Sequence, residues 1–307
     1  MAVQNRIPPT DGQVAKVKTQ AEDALRKAGL SKDQVQTMLA KKGSELKHGL
    51  KDLFRRLGGI VNPYDDEYEE SESGYPAGYR PKSVVEQLAI FALLYLGLDA
   101  SHVAGLAERW HHLPDSAELL QVVPKLSAVA RIREITDPYG VGYGPCLEVM
   151  LSQIGASRPF HNYRAGALTD RQVQLLAHTR QVLEQLEAET LGDYLVVPMQ
   201  SGRLYAGSSV RRARWQAEYN DQWALPSWVV GHHLLVHPER LVAYEDLWID
   251  CPGDEYRSDA DGDFFSALYF FVVGGGQLGF SSHWVGDAVE GYGSASGVLG
   301  SEEPLAV

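Results

Sequence analysis

Residues 267–280 read ALYFFVVGGGQLGF. An apolar run rich in aromatic and β-branched residues, then three glycines, then a second short apolar run predicts two strands joined by a glycine turn. Upstream, DYLVVPM (193–199) is a further strand candidate. Before about Gly192 the periodicity is helical. Ser83 to Glu86 has the spacing of a capping box, opening an apolar helix that ends near Gly97. DASHVAGLAERW (99–110) reads as another helix. The longest, TDRQVQLLAHTRQVLEQLEAET (169–190), has Thr169 or Asp170 as its cap and Val173, Leu176, Leu183 and Leu186 on one face. His178, within it, reads as a surface or core-edge residue. These patterns predict an α+β fold, with a largely helical part over 82–190 and a mixed strand and helix part with antiparallel strands over 191–307.

The N-terminal segment, residues 1–58, has a different texture. Val14, Val17, Ala21, Leu25 and Ala28 form a helical stripe that Gly29 ends. Ser31 and Gln34 are spaced as a capping box for a second helix. Its apolar positions Leu46, Leu50, Leu53 and Leu57 step by four, three and four, the seam of a helical hairpin or of a helix docking on a partner. Gly43 is a possible break. Residues 59–81 then place six acids between Asp65 and Glu72, followed by glycine, proline and tyrosine with no periodic apolar face. That composition predicts an acidic flexible linker.

The formal net charge of −12 is unevenly spread: residues 1–58 carry +6 and the remainder −18. An acidic body repels phosphates, which argues against nucleic acid as its partner. The N-terminus lacks the apolar core of a secretory signal, and the longest apolar stretch, residues 89–98, is about half of a bilayer span. Cys146 and Cys251 do not make a disulfide framework. A cytoplasmic setting is expected.

Four stretches invite a chemical reading. Residues 244–265, YEDLWIDCPGDEYRSDADGDFF, hold eight carboxylates against one arginine, Arg257. Asp259, Asp261 and Asp263 have calcium-loop spacing around Gly262, but an EF-hand register puts Arg257 and Leu268 at ligand positions and is excluded. A phosphatase D-x-D-G run is excluded by the polar residues before it. A solvated loop held by arginine and water is preferred to an ordered metal. In GHHLLVHPER (231–240), His233 and His237 would stack on one helix face as a zinc pair, with Asp250, Cys251 or Asp254 as third ligand. Pro238 instead favours His237 as a cationic helix C-cap, and no glutamate stands where H-E-x-x-H proteases keep their base. In SSVRRAR (208–214), Ser208 or Ser209 would cap a helix whose first turns carry Arg211, Arg212 and Arg214. That is either an anion site or a set of partners for the acidic run at 245–263. GYGSASG (291–297) lies too near the end of the sequence for a dinucleotide fingerprint and reads as a glycine-rich turn. Cys251, among carboxylates, is a poor nucleophile, and serine-hydrolase elbows and P-loops are absent.

HPERLVAYEDLWIDCPGDEY, DGDF and GYGSASG, with SVRRAR and RPKSVVEQLA, resemble a family of uncharacterised proteins from uncultured candidate-phyla bacteria. The resemblance spans residues 80–298, implies a shared domain and carries no catalytic residue across. The leading functional expectation is a non-enzymatic cytoplasmic binding or scaffold protein that engages a macromolecular partner, a protein, through residues 11–58, with no cofactor. The alternative is a metal-dependent hydrolase or transferase built on His233, His237 and the acids of 250–263.

Overall fold

The computed structural model describes residues 9–59, 61–259 and 262–299, and the chain divides into two compact units, residues 1–61 and 62–307. The first unit holds α1 (Asp11–Lys27) and α2 (Lys32–Leu57), each opened by a complete capping box, Thr10 with Gln13 and Ser31 with Gln34. Gly29 turns the chain between them at φ +72°. Gly43 does not break α2, which runs through all 26 residues. A single mid-helix glycine costs only about 1 kcal/mol.

The second unit is α+β. In chain order it contains α3 (Val84–Leu94), α4 (Val103–Glu108), β1 (Leu119–Pro124), α5 (Leu126–Ile132), α6 (Tyr143–Ser157), β2 (Phe160–Asn162), β3 (Val173–Leu175), α7 (Ala177–Glu189) and β4 (Tyr194–Gln200). There follow α8 (Val210–Tyr219), β5 (Gln222–Ala224), α9 (Ser227–Val236), β6 (Trp248–Tyr256), β7 (Ser266–Val273), β8 (Gln277–Trp284), β9 (Tyr292–Ser294) and β10 (Ser296–Val298). One sheet has the order β1-β4-β10-β5 and is antiparallel throughout. The other has the order β2-β8-β7-β6-β3, with β9 pairing β6 in parallel. The glycine-turn hairpin is β7 and β8, in continuous antiparallel register from Ser266↔Trp284 to Val273↔Gln277.

Helix α9 organises the core. All ten of its residues, SWVVGHHLLV, are buried, and it packs against α6, β1, β6 and α3. A helix apolar nearly all round has to be enclosed. Gly231 lets α6 approach closely: a Cβ there would run into the side chain of Met150.

Several sequence expectations change. The helix predicted from Thr169 starts at Ala177, because Val173 and Leu175 alternate with exposed Gln174 and pair with β6 instead. The 82–190 part therefore carries β1, β2 and β3 as well as helices. GYGSASG is not a loop: β9 joins the six-stranded sheet, and two residues later β10 joins the four-stranded one. Its glycines permit close approach, since a Cβ on Gly297 would strike the Trp223 indole. The run 244–265 is not one solvated loop either, because its first half is the buried strand β6, in which Asp250 and Asp254 are fully enclosed.

The acidic stretch departs most from expectation. From Asn62 onward it belongs to the second unit and lies along it as a strap. Glu69 donates its N–H to the Gly207 carbonyl at 2.8 Å, Leu247 donates to the Gly74 carbonyl at 2.8 Å, and Tyr68 and Ser208 form a β-bridge. The strap has no apolar periodicity because charge and aromatic plugs hold it. Gly207, at φ +73°, is pressed so closely on the Glu69 carbonyl that any Cβ would collide with it. Gly207→Ala is therefore expected to lift the strap at a cost of roughly 1–3 kcal/mol. In hydrogen exchange, amides near Glu69 should lose protection while β7 and β8 keep theirs.

Among the described residues no helix is long and apolar enough to cross a membrane.

Candidate functional site

The arginine cluster opens α8, as its spacing requires. Ser209 is the N-cap, its hydroxyl oxygen accepting from the Arg212 N–H. The anion at this helix start is the chain's own Glu67. Its carboxylate accepts the Ser209 hydroxyl at 2.6 Å and is ion-paired to the Arg211 guanidinium. That pairing, led by the Arg211 hydrogen bond, holds the Glu67 carboxyl below its ordinary range. Arg212 reaches the Ser208 hydroxyl at 2.7 Å and Asp65 at 3.5 Å. Only Arg214 turns to the 245–263 run, donating to the backbone carbonyls of Pro252 and Asp254 rather than to carboxylates. The anion-site chemistry is present, and the strap occupies it. Arg257 likewise serves carbonyls, donating to Gly262 and Arg171, and stacks on Phe264.

The histidines of α9 form a neutral network. His232 donates through Nδ1 to the Trp228 carbonyl and accepts the Tyr95 hydroxyl at Nε2, both at 2.6 Å. His233 donates through Nδ1 to Gln121 Oε1 at 2.8 Å, with the Tyr79 hydroxyl 3.4 Å from Nε2. His237 donates to the His233 carbonyl at 3.2 Å and accepts the Lys82 N–H at 2.8 Å. His237 is the C-cap of α9, as expected, but it is not cationic there. Burial pushes it down to about 4 and His232 to about 3, and His233 is held well below its ordinary value by burial first and then by the positive charge around it. With both nitrogens of His233 and His237 engaged, the zinc-pair reading loses its lone pairs.

The expected acidic ligands are not brought to these imidazoles. Asp254 accepts the Ser227 N–H at 2.7 Å at the start of α9 and also the Tyr143 hydroxyl, and burial raises it to about 6. Asp250 pairs with His283 on β8. Asp259 and Asp263 lie in the turn before β7, and Asp261 falls outside the described residues. Among the described residues no three His, Cys, Asp or Glu side chains are grouped as a metal site. The Cys251 thiol is buried, and burial first, then Asp254, holds it well above its usual range.

Beside the histidines lies a buried guanidinium that the sequence did not single out. Arg240 is fully enclosed, donating to the Ser201 hydroxyl at 2.9 Å, the Ser201 carbonyl at 2.7 Å and the Leu247 carbonyl at 3.0 Å. The strap's Tyr75 stacks 3.7 Å from its Cζ, with Arg203 on the ring at 4.2 Å, and donates its hydroxyl to Glu118 at 2.8 Å.

A further cluster of aromatic and titratable side chains lies on one face of the six-stranded sheet. Register places Trp248 opposite Tyr292 and Asp250 opposite Tyr269, and Phe271 lies over Gly279, whose missing Cβ leaves the ring its space. Ring centroids follow one another at 4.9 Å (Phe271–Tyr269), 5.3 Å (Tyr269–Tyr292) and 4.9 Å (Tyr292–Trp248). Trp248 closes the set at 5.2 Å from Phe271, and Tyr244 and Tyr163 extend it, at 5.2 Å from Trp248 and 5.6 Å from Phe271. Within it, His283 Nε2 donates to Asp250 at 2.8 Å, and although burial opposes the charge, Asp250 raises the imidazole above its ordinary value. Among the described residues no serine or cysteine side chain bonds the second ring nitrogen, as a nucleophilic triad would require. The alternation of β7 was the available signal for this face: Tyr269 and Phe271 stand one residue apart, interleaved with the core residues Leu268, Phe270 and Val272.

No protein-family model matches the chain, and no curated protein or solved structure does either.

The buried histidines dictate an acid response. Their folded values lie below the ordinary 6.5, so the stability they confer is full above about 6.5 and is lost as pH falls toward 4. Asp254 acts in the opposite sense. Its folded value near 6 exceeds the ordinary 3.8, so its contribution declines as pH rises between them. Three histidines outweigh one carboxyl, and the melting temperature is expected to fall from pH 7 to pH 4.5. In thermal scans His237→Gln, which keeps an acceptor for the Lys82 N–H, should show a shallower fall than the wild type, and Asp254→Asn a steeper one.

Proposed function

We propose that the chain is a non-enzymatic binding or scaffold protein that engages a protein partner through α1 and α2. The supporting observation is exposure of the apolar stripe. No residue of α1 is buried, and Val14, Val17, Leu25, Leu53, Phe54 and Leu57 are all exposed. Covering such a stripe contributes about 25 cal/mol per Å² of apolar surface removed from water. A partner supplies that cover, and the helices' surplus of +5 favours an acidic surface on it. A cytoplasmic location fits two cysteines that are buried and unpaired. The enzymatic alternative, a metal-dependent hydrolase or transferase at His233, His237 and the acids of 250–263, needs ligands that converge. Among the described residues these groups instead bond to separate partners.

The test is the full chain carrying Leu53→Asp and Leu57→Asp. Proteins that co-purify with the wild type should be lost from the variant, with the melting transition of the second unit unchanged within about 1 °C, as expected of surface substitutions. Retention of the same proteins would place the interface elsewhere.

A further inference from the structure

We infer that the aromatic band of the six-stranded sheet is a recognition surface for an arginine-rich peptide segment. This goes beyond the role proposed for α1 and α2, because it lies on another unit and rests on other residues.

The first observation is that several rings elsewhere in the second unit carry a guanidinium. Guanidinium groups sit over Tyr64 and Trp284 (Arg211), Tyr68 (Arg212), Tyr75 (Arg203 and Arg240) and Phe264 (Arg257). Among the described residues no guanidinium lies over Trp248, Tyr269, Phe271, Tyr292 or Tyr244; the imidazole that meets Tyr269 and Tyr292, His283 at 5.1 Å from each, is engaged by Asp250. Arg164, next in sequence to Tyr163, is turned to the Ser281 hydroxyl at 3.1 Å and to the Tyr256 ring. Most of the band is accessible: Tyr244 is 63% and Tyr163 49% exposed, Trp248, Tyr269 and Tyr292 are half-buried, and Phe271 beneath them is buried.

Charge selects among ligands that stack on aromatic rings. Asp250 sits within the band, and exposed Glu245, Asp287 and Glu290 border it, on a body whose sequence sums to −18. Phosphate-bearing chains are repelled by that field, and cations are drawn to it. An aromatic face attracts a cation through its quadrupole, and a planar guanidinium also stacks on it, which a lysine ammonium does not. Arginine side chains of one peptide would meet the accessible rings of the cluster and the acidic border together.

The experiment is calorimetric titration of the full chain with an arginine–glycine repeat peptide, a length-matched lysine–glycine peptide and a cello-oligosaccharide, at low and high salt. The arginine peptide is expected to saturate and to bind about fivefold or more tighter than the lysine peptide, in keeping with its added stacking. Tyr244→Ala and Tyr292→Leu should each weaken it by a similar factor. Tyr244 is peripheral, so its variant decides the matter if Tyr292→Leu does not fold. Equal binding of the two peptides, indifferent to the tyrosine variants and abolished by salt, would show only adhesion to an acidic body and would overturn the proposal. So would saturation by the oligosaccharide in place of the arginine peptide, or saturation by no probe.

Discussion

The second unit depends on keeping α9 buried although three histidines lie at its C-terminal half and C-cap. An imidazole removed from water is tolerated only if it is neutral and both its nitrogens are bonded. The chain meets that condition by drawing partners from four places: Tyr95 just past α3, Gln121 on β1, Tyr79 on the strap, and the Lys82 amide ahead of α3. Each bond ties a distant stretch of sequence to the same helix. Asp254 closes the other end by accepting the first N–H of α9 from β6. The central helix is thus a hub of polar constraints inside an apolar core, and its neutrality makes the fold acid-sensitive.

The strap has a second role, in charge. Glu67 and Asp65 meet Arg211 and Arg212, and Tyr75 lies between Arg203 and Arg240. Residues that look unfit to order themselves are ordered by guanidinium groups displayed elsewhere. Guanidinium suits this role, since it is weakly hydrated and offers both hydrogen-bond edges and a flat face. The cluster at the start of α8 is therefore an internal clasp. The aromatic cluster of the six-stranded sheet stands apart from it, because among the described residues no guanidinium lies over its rings, as one does over Tyr64, Tyr68 and Tyr75.

Local chemistry made much of the architecture legible. The capping boxes at Ser31 and Ser83, the strand at Tyr194–Gln200 and the glycine-turn hairpin all follow from interactions between residues a few positions apart, which the sequence contains in full. The helical periodicity of α1 and the basic surplus of the first 58 residues were equally plain. Tertiary structure decided where local preference was weak or a partner was remote. Val173 and Leu175 suit a helix face as well as a strand, and the edge of β6 settled the choice. His233 and His237 had the spacing of a metal pair, but Gln121 and Lys82, more than a hundred residues away, took their nitrogens. Burial of Asp250 and Asp254 depended on β6 lying between neighbouring strands, and periodicity within an acidic run carries no sign of that. Sequence spacing fixes which groups can share a helix turn or a strand face, whereas the neutralisation of each charge depends on contacts that form only when the chain has closed on itself.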